Sequence, residues 1–146
     1  MARRKDRVLV VLDTNVLVIG FRNKQPKTAV SKIWRLWLHR EIQIAVSPEI
    51  AEEYEEILDR LGVDRKLLTE FITELPHRET VTWIHLGRRI RIDRDPDDEI
   101  ILSTADSAKA KYLITVDKDL LELPWEQRRR FKFEIVTPAQ FLARIA

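Results

Sequence analysis

Residues 8–18 read VLVVLDTNVLV, so a single acid, Asp13, interrupts an apolar run. An ionised carboxylate in such surroundings is costly unless something compensates its charge. Asp117 repeats the arrangement: the apolar stretch YLITV ends in Thr115 and Val116 and runs directly into this second acid. Either residue alone is accounted for as the cap of a following helix, a common use of aspartate. Two acids at two strand ends favour a shared pocket.

Further acids gather at two helix starts. The segment SPEIAEEYEEILDRL holds five between Glu49 and Glu56. At about 100° per residue, Glu53 falls about 40° to 60° from Ile57 and Ile50, at the edge of the apolar stripe. Glu52, Glu55 and Glu56 fall much further round, on the solvated face. Glu53 is thus the acid best placed to reach inward, although a surface glutamate fits the period equally well. In DRDPDDEIILSTA, residues 93–105, Asp95 reads as a helix cap and Pro96 as the first helical residue. Asp97, Asp98 and Glu99 then complement the helix dipole. Asp98 lies one turn before Ile101 and Leu102 and can face the core. Asp97 is almost as well placed, and periodicity does not separate the two.

Carboxylates collected in one pocket repel each other and raise each other's pKa. A hard divalent cation, Mg²⁺ or Mn²⁺, removes that conflict and prefers oxygen ligands. Acids plus such a cation point to phosphodiester chemistry: metal polarises the phosphate and generates hydroxide from water, with one or two ions involved. Asn15 and Thr115 would add neutral hydrogen bonds that orient the ligands.

The elements that must position these acids follow from the hydrophobic pattern. Val8–Leu12, Ile42–Val46, residues 112–116 and residues 133–136 are short apolar runs with the character of buried strands. Between them, Val30, Ile33, Trp34, Trp37 and Leu38 recur at helical spacing, as do Ile50, Tyr54, Ile57, Leu58 and Leu61. Leu67, Leu68, Phe71, Ile72 and Leu75 mark a third helix beginning near Asp64. Residues 81–92 alternate only in part, which suits an edge strand or an extended connection. Ser47-Pro48, Asp95-Pro96 and Thr137-Pro138 each place a capping side chain before a proline at the first helical position, and Gln140 gives Thr137 the capping-box spacing. This alternation predicts an α/β domain with a mostly parallel sheet, and ligands in such sheets lie beyond the carboxyl ends of the strands. Asp13 and Asp117 stand at that end.

Composition sets the outer limits. The chain has 146 residues, enough for one domain spanning 1–146 with a substantial core. It has no cysteine, which excludes disulfides, zinc–thiolate sites and thiol nucleophiles and fits a reducing cytoplasm. No apolar run reaches membrane-spanning length, and the basic opening MARRKDR precedes a run too short for a signal peptide. We therefore expect a cytoplasmic protein with no membrane partner. A net charge of +2 with a pI near 9.0 permits a nucleic-acid partner.

Taken together, these segments resemble the PIN domain, a family of metal-dependent ribonucleases that includes the toxins of many prokaryotic toxin–antitoxin pairs. VLDTNVLV is similar to the family's opening strand and acid, and carries a metal-site role onto Asp13. SPEIAEEYEEIL is similar to its glutamate-bearing helix and gives Glu53. DPDDEIILSTA aligns the next aspartate with Asp98, with Asp95 in support, and LITVDKDLL gives Asp117, with Thr115 and Asp119 in support. The resemblance implies a three-layer α/β/α fold, with Asp13, Asp98 and Asp117 as ligands of Mg²⁺ or Mn²⁺ and Glu53 completing the catalytic quartet. It fits the subgroup of VapC-like toxin components best, which implies an RNA substrate, a small cognate antitoxin and a homodimer. Residues 63–93 match nothing specific in the family.

Rival readings remain. Haloacid-dehalogenase-type phosphatases also place a nucleophilic aspartate after a hydrophobic strand, but their second aspartate is here Asn15, which cannot exchange a proton. A response-regulator receiver needs spacing that Lys118 does not provide. A catalytically weak PIN-like scaffold binding RNA or protein is the non-enzyme alternative, and the presence of all four acids argues against it. For RNA, the basic runs RRIRIDR (Arg88, Arg89 to Arg94) and RRRFKF (Arg128, Arg129, Arg130 onward) flank the acids in sequence. Their cations would neutralise phosphates, and Phe131 or Trp125 would stack on an unpaired base. His39, His77 and His85 show no ligand spacing.

Overall fold

A computed structural model describes residues 7–22, 27–92 and 95–146. The first six residues of the basic opening, together with Asp93 and Arg94, lie outside the described residues. Five strands form one sheet: β1 (Val8–Leu12), β2 (Ile42–Val46), β3 (Val81–Trp83), β4 (Tyr112–Ile114) and β5 (Glu134–Val136). Their order is β3-β2-β1-β4-β5 and every pairing is parallel. The ambiguous stretch from Val81 does supply an edge strand, but only three residues long; residues 84–92 continue without regular structure. Strands β4 and β5 are each shorter than their apolar runs, because pairing stops at Ile114 and starts at Glu134.

A parallel sheet needs cover on both faces. Val10 and Val11 point to opposite faces of β1, yet both are 0% exposed, so both faces are packed. Helices α1 (Thr14–Arg22) and α2 (Ala29–Leu38) connect β1 to β2, while α3 (Pro48–Arg60) and α4 (Arg65–Glu74) connect β2 to β3. Helix α5 (Pro96–Ala108) then carries the chain back across β2 and β1 to β4, packing on all three. Right-handed crossovers put α5 on the face opposite the earlier connections, because the direction of travel across the sheet reverses. Two short helices, α6 (Lys118–Leu121) and α7 (Trp125–Arg128), lead down to β5, and α8 (Pro138–Ile145) packs on β4, β5 and α2.

Local chemistry fixes the helix starts as expected. Ser47 Oγ accepts from Ile50 N, Asp95 accepts from Asp97 N, and Thr137 and Gln140 form the reciprocal capping box. Helix α4 is capped by Asp64, which accepts from Lys66 N and Leu67 N. Helix α3 ends at Gly62, whose φ of 62° is strained for residues with a side chain.

Phe71 on α4 makes ring contacts with Phe21, Trp34, Trp37 and Tyr54, which ties α1, α2 and α3 together. Trp37 is fully buried, and its indole N–H donates to the Thr80 carbonyl at 2.9 Å. Trp34 belongs to the same cluster. Trp83 and Trp125 do not, and remain 46% and 72% exposed.

Candidate active site

The strand order reverses direction between β1 and β4: one connection leaves β1 for β2, and the other arrives at β4 from β3. In open parallel sheets the ligand crevice opens at such a switch point, beyond the carboxyl ends of the strands. Asp13 follows the last residue of β1. Its N–H donates to the carbonyl of Ile114 at 2.9 Å, so the β1–β4 pairing runs right up to the acid. Asp117 lies three residues beyond the end of β4.

A cleft of about 450 Å³ opens here, lined by Asp13, Thr14, Asn15, Glu53, Asp97, Asp98 and Asp117, with Val18, Ile19, Ile57 and Leu61 as its apolar wall. All four acids expected from the sequence meet in it. Glu53 is half-buried while Glu52, Glu55 and Glu56 are exposed, so the ranking by periodicity holds. Asp98 is half-buried and Asp97 exposed, yet both line the cleft, and the Asp97 charge acts on Glu53. Both residues therefore belong to the acidic group.

Hydrogen bonds hold the inner acids from below. Asp13 Oδ2 accepts from Thr115 Oγ1 at 2.6 Å and Oδ1 from Thr14 N at 2.8 Å. Thr115 Oγ1 in turn accepts from Asp117 N at 3.0 Å, which links the two strand-end acids through one hydroxyl. Thr14 Oγ1 donates to Glu53 Oε2 at 2.7 Å. Asp117 also accepts from Asp119 N at 2.9 Å, so it caps α6 while lining the cleft; the two roles are compatible. Asp95 caps α5 from outside the cleft lining, and Glu99 accepts from Ile92 N, which ties the extended run to α5.

Sequence reasoning missed Thr14 and Tyr54. The Tyr54 hydroxyl donates to the carbonyl of Leu12, the residue before Asp13, and thereby fastens the Glu53 helix to the end of β1. No local pattern announces either contact, since each joins residues about forty positions apart.

Burial pushes the Asp13 carboxyl above its ordinary 3.8, and the nearby Asp117 charge adds to this, against the lowering effect of the Thr115, Thr14 and Asn15 hydrogen bonds. Glu53 is likewise raised above 4.5, first by burial and then by the charges of Asp97, Asp13 and Asp95, with Thr14 opposing. The pocket thus strains against its own negative charge. No lysine, arginine or histidine is among the lining residues described.

Such a donor set suits a hard cation. Every polar group lining the cleft is a carboxylate, hydroxyl or amide, and the buried Asn15 Oδ1 has no hydrogen-bond partner. Among the described residues, no three acids or histidines already converge tightly enough to enclose an ion. Cation binding would therefore have to draw the carboxylates inward.

The described residues of the basic runs do not line the acidic cleft. Arg88 pairs with Asp106 at 3.3 Å, eight residues and about 12 Å along α5 from Asp98. Arg128 and Arg129 line a different cleft, with Phe133, Glu134 and Ile135 at the amino end of β5. Neither they nor Arg89 and Arg130 line the acidic cleft; residues 128–130 are carried away from it because the chain descends the full height of the sheet after Asp117.

The PIN domain family model matches residues 9–119, from the first strand through Asp119. The chain belongs to the PIN domain family. Among solved structures it is similar to a chain in the crystal structure of VapBC2 from Rickettsia felis bound to a DNA fragment from their promoter. That similarity has a TM-score of 0.54 at 16% identity and covers 89% of this chain and 98% of the other, a likeness of fold. No curated protein matches significantly. No helix among the described residues is long and apolar enough to cross a membrane.

Proposed function

We propose that this PIN domain is a metal-dependent endoribonuclease that hydrolyses single-stranded RNA, and that it serves as the toxin of a toxin–antitoxin pair. The observation that carries the nuclease reading is the convergence of Asp13, Glu53, Asp97, Asp98 and Asp117 on one cleft at the switch point of a parallel sheet, without a cation among the described lining residues. Asp13, Asp98 and Asp117 would hold Mg²⁺ or Mn²⁺, with Glu53 and the unpartnered Asn15 oxygen beside them. When bound, such an ion polarises the scissile phosphate and supplies hydroxide near neutral pH.

The protein's own groups do the rest. Thr115 holds Asp13 and Thr14 holds Glu53 at the cleft, which limits how far either carboxylate must move to meet a cation. Glu53, with its raised pKa and Oε2 engaged by Thr14, presents Oε1 to hold or pass a proton at the reacting oxygens. Val18, Ile19, Ile57 and Leu61 form an apolar wall on which a base can rest. The direct test is to incubate purified protein with a mixed RNA pool in Mn²⁺, with and without EDTA. Cleavage that disappears on chelation supports the reading; cleavage that survives it removes the metal.

The toxin role rests on the resemblance of the motifs and on the fold shared with a VapBC2 chain. An antitoxin would cover the acidic cleft or donate an arginine into it, where the charge is complementary. Co-expression with the neighbouring reading frames tests this: a neighbour that binds the chain and relieves growth arrest supports it, whereas a lone, harmless gene counts against it. A homodimer is the further expectation, and the exposed Trp83 is available to an interface. Light scattering that shows a monomer at high concentration disposes of it.

A further inference from the structure

The cleft at the amino end of β5 combines features that solvent exposure alone does not require. Trp125 on α7 is 72% exposed, and Phe131 stacks face to face on Phe133 at 4.9 Å with an 8° interplanar angle. Trp125, Phe131 and Phe133 line a cleft of about 280 Å³ together with Arg128, Arg129 and Lys132. The acids beside it are already answered: Glu126 pairs with Arg129 at 3.3 Å and Glu134 with Arg144 at 2.8 Å. Arg128, Arg130 and Lys132 have no ion pair within 4 Å among the described residues; the Arg128 charge also acts on Glu134, but cations outnumber acids beside the aromatic faces.

We propose that this cleft is a second RNA-binding site, which holds unpaired bases of the substrate strand at the end of the sheet opposite the acids. Aromatic faces beside uncompensated cations are the means by which proteins grip single-stranded nucleic acid: bases stack while the cations follow the phosphates. The proposal rests on the ribonuclease reading and gives it a substrate path. In register, Glu134 lies level with Tyr112, five residues before Asp117. At about 3.3 Å per residue the two sites are about 16 Å apart along the strands. A strand of about five nucleotides at stacked spacing of about 3.4 Å covers that distance. The site would favour longer, unpaired substrates, because a dinucleotide in the acidic cleft cannot reach Trp125.

The test separates binding from cleavage. In EDTA, fluorescence anisotropy follows a labelled, unstructured oligoribonucleotide of about ten nucleotides, twice the span. We expect Trp125→Ala to weaken binding about fivefold or more. Arg128→Gln combined with Lys132→Gln should flatten the slope of log K against log salt by about 1.4. In Mn²⁺, the same variants should lose kcat/KM on the long RNA and keep it on a dinucleotide, with thermal unfolding unchanged. Variants that bind the long RNA with the wild-type affinity and salt slope overturn the proposal, even where wild-type protein cleaves RNA. Wild-type protein that binds this RNA through the patch but cleaves none overturns the ribonuclease reading alone.

Discussion

Asp13→Asn removes one charge from the acidic cleft and keeps the side chain's shape, and its effect on stability should change sign with conditions. The carboxylate accepts hydrogen bonds from Thr14 N, Thr115 Oγ1 and the Asn15 side chain. An asparagine keeps one acceptor, so the variant loses one charge-assisted bond, about 1.5–3 kcal/mol, and recovers about 1 kcal/mol if Thr115 turns to accept from the amide. Against this loss stand the burial of the charge and its repulsion by Asp117, which outweigh the hydrogen bonds because the carboxyl is raised above 3.8 overall. The folded state then binds more protons than the unfolded one between that ordinary value and the raised one. Wild-type stability therefore falls as pH rises through this window, a loss that the variant does not suffer. In EDTA at pH 7 to 8 the variant should melt no lower than wild type, and its relative advantage should shrink towards pH 3. Mn²⁺ should reverse the order. A hundredfold excess over Kd stabilises wild type by about 2.7 kcal/mol, and the variant, lacking a ligand, should gain far less. Differential scanning fluorimetry across pH, with and without Mn²⁺, reads both effects. If Asp13 is only a helix cap, the variant loses about 1 kcal/mol, or about 2–4 °C, in EDTA at neutral pH and responds to Mn²⁺ as wild type does. That result would refute the charge-strain argument.

Other perturbations probe the frame around the site. Phe71→Ala should cost about 3–5 kcal/mol in urea unfolding, since Phe71 contacts four aromatic rings in the core; a loss below 1 kcal/mol would mean the cluster repacks. Tyr54→Phe leaves the Leu12 carbonyl unmatched and should cost about 1–3 kcal/mol while weakening Mn²⁺ binding measured by calorimetry; unchanged Mn²⁺ affinity would free the β1 end from dependence on α3. Thr137→Ala removes the α8 capping box, remote from the acids, and should lower stability by about 1 kcal/mol with RNA cleavage untouched.

What was legible in the sequence was what depends on neighbours in the chain. Ser47, Asp95 and Thr137 announce their helices because capping is decided within four residues. Glu53 was separable from Glu52, Glu55 and Glu56 because the apolar stripe of α3 fixes its orientation. Asp97 and Asp98 were not separable, and the structure explains why: in the first turn of α5 both reach the same cleft. The parallel sheet and the strand-end position of Asp13 and Asp117 followed from alternating apolar runs, whereas the switch point needed the strand order, which no local pattern contains. Where the basic runs lie in space was hidden for a related reason. Arg128–Arg130 follow Asp117 closely in sequence, but α6 and α7 carry them to the other end of β5. Contacts such as Thr14 with Glu53 and Tyr54 with Leu12 are products of tertiary packing and leave no sequence signal of their own.

The central claim is that the acids of the switch-point cleft perform metal-dependent RNA hydrolysis, and cleavage by Asp13→Asn tests it most directly. Wild-type and variant protein, matched for folding by circular dichroism, are compared in single-turnover cleavage of the same RNA in Mn²⁺. The account predicts that the variant's rate falls by orders of magnitude, because the charge at the end of β1 is lost while the fold is kept. A variant that cleaves at the wild-type rate would contradict it and would leave Asp13 a structural residue.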